Sequence, residues 1–182
     1  LPSPFRQITV KITAKDLPSF VETPPPNVRV VLVYGEDSGQ VTELVKTISN
    51  SVIGNDDDPF ALKTVTIGSS DEKSGSLYDE VISQSFGFGK TVVSASIGSE
   101  NISDELQAIL EGPAPPSLLV LGGKYLPPRS PVRKILEKSP LAAVIPCYQD
   151  SERSLLDLIR TAAKKENVDI SKAAEEYLVS RL

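Results

Sequence analysis

The sequence predicts an α/β protein built on a mostly parallel sheet, and three observations carry that prediction. Val28-Arg29-Val30-Val31-Leu32-Val33-Tyr34 is an almost unbroken β-branched run, which marks a strand buried on both faces. Strand-length apolar segments then alternate with segments whose apolar residues recur at helical spacing, the rhythm of a doubly wound layer. Composition agrees: 182 residues, 40% hydrophobic and 24% charged, are an ordinary globular share for one domain plus part of a second.

Residues 8–12, ITVKI, alternate in the manner of a strand, and residues 14–21 predict a short helix. Pro24-Pro25-Pro26 is a stiff stop before the first buried strand. Gly35 ends that strand. Ser38 can cap the following helix, in which Val41, Leu44, Val45, Ile48 and Val52 share a face. The unit repeats. Strands are predicted at 61–67, 91–96, 117–121 and 141–145. Helices are marked by Leu77, Val81 and Ile82, by Ile102, Leu106, Ile109 and Leu110, and by Val132, Ile135 and Leu136, the last stopped by Pro140.

After Cys147 the pattern changes. Leu155, Leu158, Ile159 and Ala162 line one face, and Ser171 opens a second helix that runs towards Leu182. Two helices without an intervening strand predict the start of a small helical domain, with a boundary near Pro146–Asp150. A single helical hairpin buries too little surface to stand alone.

Charge and composition exclude several functions. There are 24 acidic and 19 basic residues, so the net charge is −5, and any nucleic-acid contact must be local. Aromatics are 5% and Trp is absent, thin for a base-stacking platform. With no His and one Cys, neither a His-based triad, a His–Cys dyad, a thiolate metal cluster nor a disulfide framework can be assembled. No metal or cofactor is expected. No apolar run reaches membrane-spanning length and no export signal is visible, so a cytoplasmic protein is expected.

The first candidate site is the turn after the Val28–Tyr34 strand, since open α/β sheets bind ligands at strand carboxyl ends. Gly35-Glu36-Asp37-Ser38-Gly39 has two glycines at the wrong spacing for a P-loop, no Lys, and two acids where phosphate would lie. The strand 117–121 ends in Gly122-Gly123-Lys124-Tyr125, without the acid that would orient Mg²⁺ and water. The turn therefore reads as one that keeps the shape and has lost the phosphate site. A receiver-like or P-loop-like small enzyme or switch, with Glu36-Asp37 and Lys124 at strand ends, is the alternative reading.

A second candidate is Ser85-Phe86-Gly87-Phe88. Its two rings are either core residues at a helix-to-strand corner or anchors for a partner's pocket. The third is a basic cluster, Lys124, Arg129, Arg133, Lys134 and Lys138, either a solvated helix face or a local phosphate-contacting patch. Asp56-Asp57-Asp58-Pro59 lacks the ligand alternation of a calcium loop and reads as an exposed loop.

Several of these segments, in this order, resemble the bacterial clamp-loader delta subunit of DNA polymerase III. They are VRVVLVYGE at 28–36 with Asp37-Ser38-Gly39, Asp58-Pro59-Phe60 before a strand, the Phe/Gly segment at 85–90 before TVV, and PVRKILEKSPLAAVIPCY at 131–148. The resemblance implies an AAA+-like (P-loop NTPase-like) parallel sheet with flanking helices over 1–147 and the start of a helical lid over 148–182. The collar domain of the family would be absent. It implies a subunit of a DNA-directed DNA polymerase holoenzyme that hydrolyses no ATP itself and has no catalytic site in this chain. Such a subunit binds and opens the sliding clamp ring for loading on primed DNA in replication. Ser85, Phe86, Gly87 and Phe88 would then bind the clamp, although the family's rings are adjacent and Gly87 separates them here. Lys124, Arg129, Arg133 and Lys138 would face primer-template DNA in the loader. The implied partners are the clamp, the other loader subunits and that DNA.

Overall fold

The structure, a computed structural model, describes residues 12, 16–54, 60–67, 76–83, 90–98, 101–147, 156, 159–160, 162–164, 166, 168–179 and 181. It divides into two compact units, Leu1–Cys147 and Tyr148–Leu182. Among the described residues no helix is long and apolar enough to cross a membrane.

The first unit holds strands β1 (Val30–Gly35), β2 (Leu62–Thr66), β3 (Thr91–Ile97), β4 (Ser117–Gly123) and β5 (Ala142–Cys147). Its helices are α1 (Leu17–Glu22), α2 (Ser38–Ile53), α3 (Leu77–Ile82), α4 (Ser103–Glu111) and α5 (Pro131–Lys138). The strands form one all-parallel sheet in the order β2-β3-β4-β1-β5. In that order the step from β1 to β2 runs one way, and all later steps run the other. Right-handed crossovers therefore put α2 on one face and α3, α4 and α5 on the opposite face. The cores match: Phe20, Val41 and Ile48 pack with Val31, Val33 and Val92 on one side. On the other, Leu77, Val81, Leu106, Ile109 and Leu136 pack with Val30, Leu32 and Val93. β1, covered on both faces, is wholly buried, as its unbroken apolar run predicted.

Two local outcomes differ from the sequence reading, and a third expectation lies mostly outside the described residues. The short helix begins at Leu17, with Pro18 in its first turn where a missing N–H costs nothing. β5 runs on through Pro146 to Cys147, which its place at the end of the strand order permits. Of the expected strand at 8–12, only Ile12 is described; it is buried, and its N–H donates to the Val144 carbonyl of β5 at 3.1 Å.

In the second unit, Ile159 and Ala163 are buried and four residues apart, on one helical face. Helix α6 spans Lys172–Val179. Arg160 grips Glu175 with two parallel bonds, Nε to Oε1 at 2.7 Å and Nη2 to Oε2 at 2.8 Å. This hydrogen-bonded partner holds the Glu175 carboxyl below its ordinary value.

Candidate functional site

The carboxyl end of β1 is where a sheet of this order would hold a nucleotide. Gly35, the last residue of β1, lies so close to β5 that a methyl group on its Cα would collide with the Cys147 carbonyl. The next amide, Glu36 N–H, donates to that same carbonyl at 3.2 Å. Asp37 then caps α2: its carboxylate accepts from the Gln40 N–H at 2.9 Å, and its carbonyl accepts from Val41 N–H at 3.0 Å. Gly39 is tight against that carboxylate, since a Cβ there would stand 3.3 Å from Asp37 Oδ1. Ser38 contributes its carbonyl to the Thr42 hydroxyl at 2.8 Å.

The consequence is chemical. Two amide groups that a phosphate cradle would aim at its ligand are used within the protein, one by a backbone carbonyl and one by a carboxylate. Asp37 stands where a phosphate oxygen would accept, and it brings the negative charge a helix N-terminus favours. Glu36 and Asp37 are both exposed, so the local field repels phosphate. Buried Cys147 beside them has its thiol pushed up to about 11, by burial first and by the Asp37 charge second. It is neutral at physiological pH and no nucleophile.

The basic cluster does not act as one face. Arg133 turns inward, and this corrects its expected place on a DNA-facing surface. Its guanidinium lies 5.2 Å from the centroid of the buried Tyr34 ring. Its Nε donates to Glu137 at 2.8 Å and its Nη1 to the Leu126 carbonyl at 3.0 Å. A cation one helical turn from Glu137 is thus used to fasten α5 to the 124–130 turn and to β1. Lys124, Arg129 and Lys138 are exposed. Lys124 follows β4, Arg129 precedes α5, and Lys138 ends it, where it complements the helix dipole.

Ser85, Phe86, Gly87 and Phe88 lie outside the described residues, as do Asp56, Asp57, Asp58 and Pro59. The residues that bracket them are described. Ile82, at the end of α3, is 40% exposed, and Lys90 is exposed just before β3 begins at Thr91. Phe60 and Leu62, at the start of the edge strand β2, are 69% and 42% exposed. A Lys63–Glu80 ion pair joins β2 to α3. Three large apolar side chains are therefore displayed around the amino-terminal corner of the sheet, and sequence reading missed all three as surface. The signal was present in the Asp58-Pro59-Phe60 step into β2.

Another missed residue is Arg29, just before β1. Its Nη1 donates to the carbonyls of Ile109, Leu110 and Gly112 at 3.0, 3.1 and 2.6 Å. It closes the C-terminus of α4, whose last carbonyls lack partners within the helix.

No family model and no curated protein matches the chain. Among solved structures, the fold superposes on the DNA clamp loader delta protein YqeN of Bacillus subtilis with a TM-score of 0.63. The match covers 92% of this chain at 21% identity. The chain shares the fold of the matching part of that protein. It spans about half of that protein, 52% of its length. The α/β architecture expected from the sequence, a parallel sheet with flanking helices, is the architecture observed, with five strands.

Proposed function

We propose that this chain is a non-catalytic clamp-loader delta subunit, or the part of one that binds the sliding clamp and helps hold the ring open for loading on primed DNA. One observation carries the reading: an ATPase-type fold shared with a delta protein, in which the phosphate turn is closed by its own Asp37 cap and Cys147 contact. A sheet that keeps the scaffold without the cradle suits binding. The subunit acts by mass action: preferring the open ring, it shifts that population by its differential affinity.

Phe86 and Phe88 are the proposed anchors, with Ser85 and Gly87 shaping the segment. The exposed Ile82, four residues before Phe86 in the chain, and the exposed Phe60 and Leu62 at the start of β2 support the reading of a partner surface. The second unit, 148–182, is assigned to the start of a helical lid. Contact with the other loader subunits is assigned to a collar outside these residues. Lys124, Arg129 and Lys138 are proposed to meet primer-template DNA in the assembled loader, and neutralising them should flatten the salt dependence of loader–DNA binding.

The test is calorimetric titration of the chain with the sliding clamp from the same source. Phe86→Ala or Phe88→Ala should cost roughly 2 kcal/mol or more of binding, about 30-fold, with the melting temperature unchanged. Normal binding by both variants, or unfolding of both, overturns the assignment.

A further inference from the structure

At the end of the sheet opposite the Gly35 turn, beside the first residues of β1, β3 and β4, the first unit opens on a groove of about 400 Å³. Pro25, Val52, Pro115 and Leu118 give it apolar walls. Its charged side chains are cationic: Arg29 and Lys90 line it, and among the described residues no Asp or Glu does, in a chain whose acids outnumber its bases 24 to 19. Arg29 is held by its Nη1, which donates to the Ile109, Leu110 and Gly112 carbonyls. Its Nε–Nη2 edge meets no acceptor among the described residues. That edge is the fork that grips a carboxylate elsewhere in this chain, where Arg160 holds Glu175 by Nε and Nη2. The Lys90 ammonium is exposed and forms no ion pair among the described residues. Thr91 and Ser117, register partners at the starts of β3 and β4, also line the groove and are only 7% and 5% exposed. Their hydroxyls bond each other at 2.6 Å. That bond uses one of their two hydrogens, which leaves one buried donor without an acceptor among the described residues.

Three kinds of donor are therefore left over in one groove: a fixed guanidinium edge, an ammonium and a buried hydroxyl. A buried donor left unmet is costly, and an anion with several acceptor oxygens answers all three. The apolar walls suit a body attached to that anion, and the volume falls among small-ligand sites, which begin near about 300 Å³ and are mostly apolar with a few placed polar groups. Pro24–Pro26 and Pro115-Pro116 border the groove, and proline's fixed φ keeps those borders in shape before anything binds. We infer that the groove binds a small organic anion, a carboxylate or phosphate monoester on an apolar body, its head met by Arg29 and Lys90 and its body by Pro25, Pro115 and Leu118. The site lies at the other end of β1 from the turn closed by Asp37, and it does not depend on the clamp-binding reading.

The test is a heteronuclear NMR titration of the full chain with naphthoate and with naphthyl phosphate. Naphthol serves as the uncharged counterpart and inorganic phosphate as the bare anion. At least one of the two organic anions should shift the amide signals of Arg29, Thr91 and Ser117 saturably, with a Kd of about 1 mM or tighter, and the one that does so identifies the head group. Naphthol and inorganic phosphate should each bind at least ~5-fold more weakly. Lys90 and Ala114 are exposed and line the groove, so both can be changed without touching the core. Lys90→Gln should weaken binding ~5-fold, and Ala114→Trp should block it, each with an unchanged melting temperature. Saturation by neither organic anion overturns the proposal. So does binding of naphthol or inorganic phosphate as tight as that of the organic anions, or wild-type binding by both variants. All of these outcomes are read without the clamp, so the failure of either proposal is distinguishable from the failure of the other.

Discussion

Replacing Arg29 with Met keeps the aliphatic stem and removes the guanidinium that closes α4. In the structure Nη1 approaches four carbonyl oxygens, those of Ile109, Leu110 and Gly112 between 2.6 and 3.1 Å and that of Pro113 at 3.4 Å. One Nη carries only two hydrogens, so about two of these bonds are fully made at once. Bonds with a charged donor contribute roughly 1.5–3 kcal/mol each. Arg29 is only partly buried, and water reclaims some of that value, which brings the expected loss to about 2–3 kcal/mol. For a chain of this size that lowers the melting temperature by about 5–10 °C. Thermal melts and urea titrations followed by circular dichroism measure both numbers. Arg29→Lys should recover little, since an ammonium is a point donor without the planar fork. A loss under about 0.5 kcal/mol for Arg29→Met would refute the reasoning, because it would mean water replaces the guanidinium at no cost.

Three further outcomes are expected. Gly35→Ala should destabilise by about 3 kcal/mol or more in a urea titration, because its methyl group collides with the backbone of Cys147; a wild-type midpoint would show that β5 yields freely. Titration with Mg-ATP should give no heat beyond dilution, and micromolar affinity would overturn the closed-turn reading. The Cys147 thiol, at about 11 when folded against 9.0 otherwise, holds its proton more tightly in the folded state. Its contribution to stability is therefore whole below about pH 9 and declines as pH rises towards 11. Alkylation at pH 8 should be slow in native protein and fast in urea, and equal rates would contradict the burial.

The α/β class was legible because its signals are local. A β-branched run such as Val28–Tyr34 has few alternatives to a strand covered on both faces, and the spacing of Val41, Leu44, Val45 and Ile48 suits only a helix. The absence of P-loop residues was legible for the same reason: a cradle needs particular residues at particular spacing, and Gly35–Gly39 lacks them. The basic cluster was misread in part, because sequence distance does not say which way a side chain turns. Arg133 is two residues from the exposed Pro131 yet ends over Tyr34, a ring from the opposite end of the chain's first unit.

By itself, then, the sequence determined the kind of elements, their order, and which P-loop residues the strand-end turn lacks. Tertiary structure alone decided that β1 stands between β4 and β5, and therefore that Gly35 must be bare to pass Cys147 more than a hundred residues later. It decided that Arg29 reaches carbonyls 80 to 84 residues away, and that Phe60, Leu62 and Ile82 meet water at one corner. The physical reason is the range of the interactions. Periodicity, caps and turn chemistry act within a few residues and are written in the local sequence. Strand order and the filling of space join distant residues, and they are settled only when the whole sheet closes its two cores.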